Sequence, residues 1–66
     1  MFAKELRERR KAAGLSQQGL ADRVQCSVGS VRSWEQGLRS PGLNMALALN
    51  KVLGVPLEVM RKESAL

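Results

Sequence analysis

Residues 15–37 read "LSQQGLADRVQCSVGSVRSWEQG", and the punctuation of this stretch decides the architecture. Ser16 and Ser27 each stand before an apolar-periodic run, where a hydroxyl can accept a free backbone N–H of a first helical turn. The run 17–24 lays Leu20, Ala21 and Val24 on one face. The run 28–36 lays Val31 and Trp34 on one side and closes at Gly37. Only residues 25–27 separate the two, a connection so short that the helices must lie close and cross steeply. Ala21 stands where a large side chain would wedge them apart, and Val24, Cys26, Val31 and Trp34 are expected to fill the space between them. This is the pattern of a helix-turn-helix. The outer side of its second helix holds Gly29, Arg32, Ser33 and Gln36, a strip with one fixed cation and no large apolar group.

The flanking sequence adds three more helices. Residues 2–13 place Phe2, Leu6, Arg10 and Ala13 along one face, and Gly14 supplies the stop. "LRSPG" is a loop, with Pro41 and Gly42 leading into a helix over 43–53. Its apolar stripe is Leu43, Ala46, Leu49, Val52 and Leu53, and Gly54 ends it. "VPLEVMRKES" opens a short fifth helix, with Pro56 near a first turn where its missing N–H costs nothing. Runs of β-branched residues alternating with period two are absent, so strands are not expected. The fold class is all-α, with residues 1–66 read as one domain free of repeats and linkers.

Composition narrows the function. A chain of 66 residues buries only about 60% of the surface it exposes when unfolded. One Cys and no His exclude an intramolecular disulfide and the usual zinc sites, so no metal or cofactor is expected and apolar packing must hold the core. The charged start "MFAKELRERRK" and the shortness of the run "MALAL" argue against a signal peptide or a membrane segment. With a lone cysteine, they place the protein in the cytoplasm. Eleven Lys and Arg against six Asp and Glu give a formal charge of +5, which points to a polyanionic partner. One Phe, one Trp and no Tyr are too few for the stacking platforms of single-strand binders, so duplex DNA is favoured.

On these residues the chain resembles the Cro/C1-type helix-turn-helix family of phage and bacterial transcription regulators. "LRERRKAAGLSQ" is similar to the family's first helix and the start of its second, "WEQGLRSPG" to its exit loop, and "LNKVLGVPLEVM" to its fourth and fifth helices. The resemblance implies a compact five-helix, lambda-repressor-like domain with the helix-turn-helix at helices 2 and 3. It also assigns residues. Gln17 matches a residue that binds a DNA phosphate beside the free N–H groups of a helix N-terminus. Arg10 and Glu35 match an ion pair tying helix 1 to the end of helix 3. Val28, Gly29 and Ser33 match base-reading positions, and Ser27, Ser30 and Arg32 lie close by.

The chemistry of those positions is uneven. Arg32 can fork onto a guanine or clamp a phosphate, Ser33 discriminates weakly, and Val28 can pack on a thymine methyl. Gly29 reads nothing, but its missing side chain lets the helix sit deep in the groove. Ser27 and Ser30 are expected on phosphates, as are Arg39 and Ser40 of the exit loop and Asn44 at the start of helix 4. The cations of "RERRK" at 7–11 need no DNA to explain them, because they stand near a helix C-terminus.

Three features depart from the family pattern. Arg32 lies one place before the usual Arg, and Gln25 stands in the turn where Gly is usual, at a cost if φ is positive. Gly19 and Gly29 sit inside helices, each costing roughly 0.8–1.0 kcal/mol against Ala, and Gly19 removes the Glu of a capping box with Ser16. Modest stability follows, with a readout that leans on backbone contacts and DNA shape.

The function expected is a sequence-specific regulator of duplex DNA, most simply a repressor. A single helix-turn-helix covers a half-site, so a homodimer on a pseudo-palindrome follows, its recognition helices roughly 34–36 Å apart. Leu57, Val59 and Met60 offer more apolar surface than one face buries and are the candidate dimer patch, with core closure the alternative for Leu57 and Met60. The competing reading is a protein-interaction module, an antitoxin or bridging factor whose partner is a toxin or the transcription machinery. An enzyme is disfavoured, since no His exists and no carboxylate pair converges.

Overall fold

The computed structural model describes residues 2–60. Five α-helices make up the described chain: α1 (Phe2–Ala12), α2 (Gln17–Val24), α3 (Val28–Glu35), α4 (Leu43–Leu53) and α5 (Leu57–Met60). No strand is present among the described residues. Residues 61–64, to which the sequence extends the fifth helix, lie outside them.

Local chemistry explains the helix limits. The Ser16 hydroxyl accepts from the Gly19 N–H at 2.9 Å, and the Ser27 hydroxyl from the Ser30 N–H at 3.2 Å. Both caps satisfy a donor that has no partner within its own helix. The ends of α1, α2 and α3 share one device. The Leu15 N–H reaches back to the Arg10 carbonyl at 3.1 Å, the Cys26 N–H to Ala21 at 2.9 Å, and the Leu38 N–H to Ser33 at 2.9 Å. In each case the preceding residue takes the left-handed conformation that this closure requires: Gly14 at φ 73°, Gln25 at φ 60° and Gly37 at φ 76°.

The core comprises Leu6, Leu20, Ala21, Val24, Val31, Trp34, Ala46, Leu49, Val55 and Met60. α2 packs on α3, α1 braces α3, and α4 closes against α2 and α5. Ala21 is wholly buried at the crossing, as its small size requires. Arg9 pins α4 from a distance in sequence: its Nη1 donates to the Leu53 carbonyl at 3.4 Å while its Nε donates to Glu5 at 2.6 Å.

Several expectations about faces are corrected. Ala13 lies past the end of α1 and is exposed, so the buried face of that helix is Leu6 and Arg10, with Phe2 packed beside it. Leu43 is 74% exposed, not part of the α4 stripe. Four residues before Leu47, it shares that exposed face, while Ala46 and Leu49 point inward. Cys26 is half-buried at the edge of the wedge instead of filling it. Met60 is buried in the core, the alternative that the sequence left open for it, while Leu57 of the same candidate patch is exposed and Val59 half-buried.

Leu20, wholly buried between α2 and its neighbours, is a direct probe of this packing. Leu20→Ala is expected to lower stability by about 2–5 kcal/mol, read as a fall in the urea midpoint with an unchanged slope. A loss under 1 kcal/mol would show that the core does not rest on this contact.

Candidate nucleic-acid interface

α3 is held by its last residue. The Glu35 side chain is almost wholly buried, and its residue is 4% exposed. Arg10, 8% exposed, donates from Nε to Glu35 Oε2 at 2.6 Å and from Nη2 to Oε1 at 3.2 Å. The third arm of the same guanidinium donates to the Leu15 carbonyl at 2.8 Å, so Arg10 also secures the turn between α1 and α2. Gln17 adds a bond from its Nε2 to Glu35 Oε1 at 3.1 Å. Arg7 reaches the same end, donating from Nη2 to the Glu35 backbone carbonyl at 3.2 Å with its Nε 3.7 Å from the carboxylate.

One carboxylate thus joins three helices. Burial alone would push the Glu35 carboxyl up. The hydrogen bonds from Arg10 and Gln17 and the charges of Arg10 and Arg7 outweigh it and hold the group below its ordinary value of 4.5. No buried side-chain N or O among the described residues lacks a partner, so the charge enters the core fully compensated.

With Val31, Trp34 and Glu35 turned inward, the opposite side of α3 is presented to solvent. Gly29, Arg32 and Gln36 are exposed there and Ser33 is half-buried. A Cβ added at Gly29 would meet only the Ser27 hydroxyl, at 3.8 Å, so nothing inside the fold requires glycine at this position. Val28 is half-buried and packs against the core, which leaves it part of its surface for a ligand. The Ser27 and Ser30 hydroxyls lie 3.2 Å apart at the N-terminal turn of α3, and the first is already the helix cap.

The remaining candidates are spread around this surface. Arg39 and Ser40 are exposed in the loop that follows α3, and Asn44 is exposed in the first turn of α4. Gln17 is half-buried in the first turn of α2 with an amide donor committed to Glu35, and the Gly19 N–H of the same turn is taken by the Ser16 cap. Sequence reasoning paired Glu35 with Arg10 but missed Arg7 and Gln17 as further partners. The signal was the spacing Arg7 to Arg10, which sets both guanidinium groups on one side of α1. Beside the cap, burial pushes the Cys26 thiol up, and its Sγ lies 3.4 Å from the Ser27 carbonyl.

The helix-turn-helix family model HTH_3 matches residues 6–60, from the first core leucine to Met60. The chain belongs to the Cro/C1-type helix-turn-helix family. It is accordingly a DNA-binding helix-turn-helix regulator with a lambda-repressor-like fold. No curated protein and no solved structure matched the chain.

The network makes this Cro/C1-type domain acid-sensitive in a defined direction. Because the folded-state pKa of Glu35 lies below its unfolded value, near 4.5, its stabilisation is fully present above that pH and is lost as pH falls through the folded pKa. Thermal melts from pH 7 to pH 2 should therefore hold level and then drop on the acid side. Glu35→Gln should lower stability by about 3–5 kcal/mol at pH 7, leaving the Arg10 charge buried without its counter-ion. A Tm for Glu35→Gln equal to that of the wild type would refute the role assigned to the carboxylate.

Proposed function

We propose that the protein is a sequence-specific regulator of transcription, most simply a repressor. It would act in the cytoplasm as a homodimer on a pseudo-palindromic operator. The observation that carries this reading is the outward face of α3. Small and uncharged apart from Arg32, it is braced from behind by Trp34 and the Glu35 network. A helix of that shape fits a major groove, and a rigid mount fixes the register in which it meets base edges.

In this reading Arg32 and Ser33 contact bases, Val28 meets a thymine methyl with its uncovered part, and Gly29 lets the backbone approach closely. Ser27, Ser30, Arg39, Ser40, Asn44 and the first turn of α2 around Gln17 position the domain on phosphates. Leu57 and Val59 supply the contact between subunits, with Met60 supporting them from the core. The role is one of binding, without catalysis or cofactor.

A second reading has one observation in its favour. Leu38 and Leu43, 72% and 74% exposed, flank the loop that should follow the phosphates, and Leu47 extends the apolar face of α4. An antitoxin or bridging factor would use such leucines on a toxin or on the transcription machinery.

Salt dependence separates the two. Affinity for random duplex should fall steeply between about 50 and 200 mM salt when several phosphates are contacted. A flat response would exclude the regulator reading. Arg39→Ala should weaken binding to all sequences alike, whereas Arg32→Ala should relax preference at one base position. Leu57→Asp should shift the protein toward monomer in sedimentation equilibrium without unfolding it. A dimer that survives this change would place the subunit contact elsewhere.

A further inference from the structure

α1, α2 and α3 end in the same hydrogen-bonded closure, each requiring one residue in the left-handed conformation. At the ends of α1 and α3 that residue is glycine, at φ 73° and 76°. At the end of α2 it is Gln25, at φ 60° and ψ 53°. Gln25 is the one non-glycine residue with positive φ among the described residues. A side chain there crowds the backbone, at a cost that glycine avoids.

Nothing within the described fold offsets that cost. Gln25 is exposed, and its side-chain amide makes no hydrogen bond among the described residues, while its backbone N–H makes the same closing bond that glycine makes elsewhere. An exposed residue held against its backbone preference, with no internal partner, points to a use outside the fold.

Its location says what that use is. Gln25 stands two residues before Ser27, the N-cap of α3, hence within about 7 Å of the end of the helix that faces the groove. On α2, exposed Asp22 and Arg23 stand three and two residues before it and offset each other. The next charge along the chain is the exposed Arg32 of α3, so the stretch from α2 through α3 as far as Arg32 carries a net positive charge. A glutamine amide donates to phosphate oxygens and pairs in two-pronged fashion with adenine. Resting on the regulator reading above, we infer that Gln25 contacts duplex DNA through its side-chain amide, and that this contact is why the turn carries glutamine instead of glycine.

The test compares Gln25→Gly and Gln25→Ala with the wild type. Each is titrated with a duplex selected from a random library and with an unselected duplex, alongside thermal melts. Gln25→Gly relieves the backbone and should raise Tm by about 2–6 °C. It should also lose about three- to tenfold in DNA affinity, the worth of one hydrogen bond. Gln25→Ala keeps a Cβ at the left-handed position, so it should lose similar affinity without the rise in Tm. Equal loss on both duplexes assigns the amide to a phosphate, and loss confined to the selected duplex assigns it to a base. A Gln25→Gly protein that is more stable and binds as the wild type does overturns the inference while leaving the regulator reading intact. So does a Gln25→Ala protein with wild-type affinity, or a Gln25→Gly protein that is less stable. Failure of the wild type itself to bind either duplex would instead overturn both.

Discussion

The buried carboxylate of Glu35 is the constraint on which the arrangement of the first three helices depends. It sits at the end of α3 and accepts from Arg10 of α1 and Gln17 of α2, while Arg10 also holds the Leu15 carbonyl. In a domain this small, apolar area alone leaves helix orientations loosely specified. Hydrogen bonds to a buried charge do specify them, since a misplaced helix would strand the charge without a partner. The tip of α3 is thereby fixed against both neighbours, and a binding helix fixed in this way needs little ordering when it meets its ligand.

The surface so mounted is unusual in what it omits. α3 and its C-cap present glycine, serine and glutamine around a single arginine, and the other cations among the described residues lie on α1, on α2, in the loop after α3 and, as Lys51, on α4. Apart from Arg32, the cations among the described residues therefore lie off the outer side of α3. That division suits a protein in which electrostatic attraction to the phosphates and discrimination between bases are carried by different residues. Gly29 has room for a larger side chain inside the fold yet leaves the outer side of the helix bare.

Apolar surface is divided as unevenly. Met60 is drawn into the core with Val55, while Leu38, Leu43, Leu47 and Leu57 stay exposed along the second half of the chain. A domain of this size has too little interior to take every leucine, so those outside are available for contacts with other molecules. Their concentration after α3 separates them in sequence from the polar reading face.

Much of this was legible in the sequence. Ser16 and Ser27 announce their caps, Gly14, Gly37 and Gly54 their helix ends, and the period of Leu20, Ala21, Val24, Val31 and Trp34 gives the inner faces, because these signals act within a few residues of chain. The ion pair of Arg10 with Glu35 was legible too, through resemblance and because Arg10 falls on an apolar face. The spacing of Arg7 to Arg10 hints that Arg7 joins it, but tertiary structure alone decided that Gln17 does, that Arg9 caps α4, that Met60 is covered while Leu43 and Leu57 are not, and that Cys26 stays at the rim. Periodicity identifies the centre of a buried face, but its margins depend on how closely the next helix approaches. The partner of a long polar side chain depends on helix crossings that no local pattern encodes.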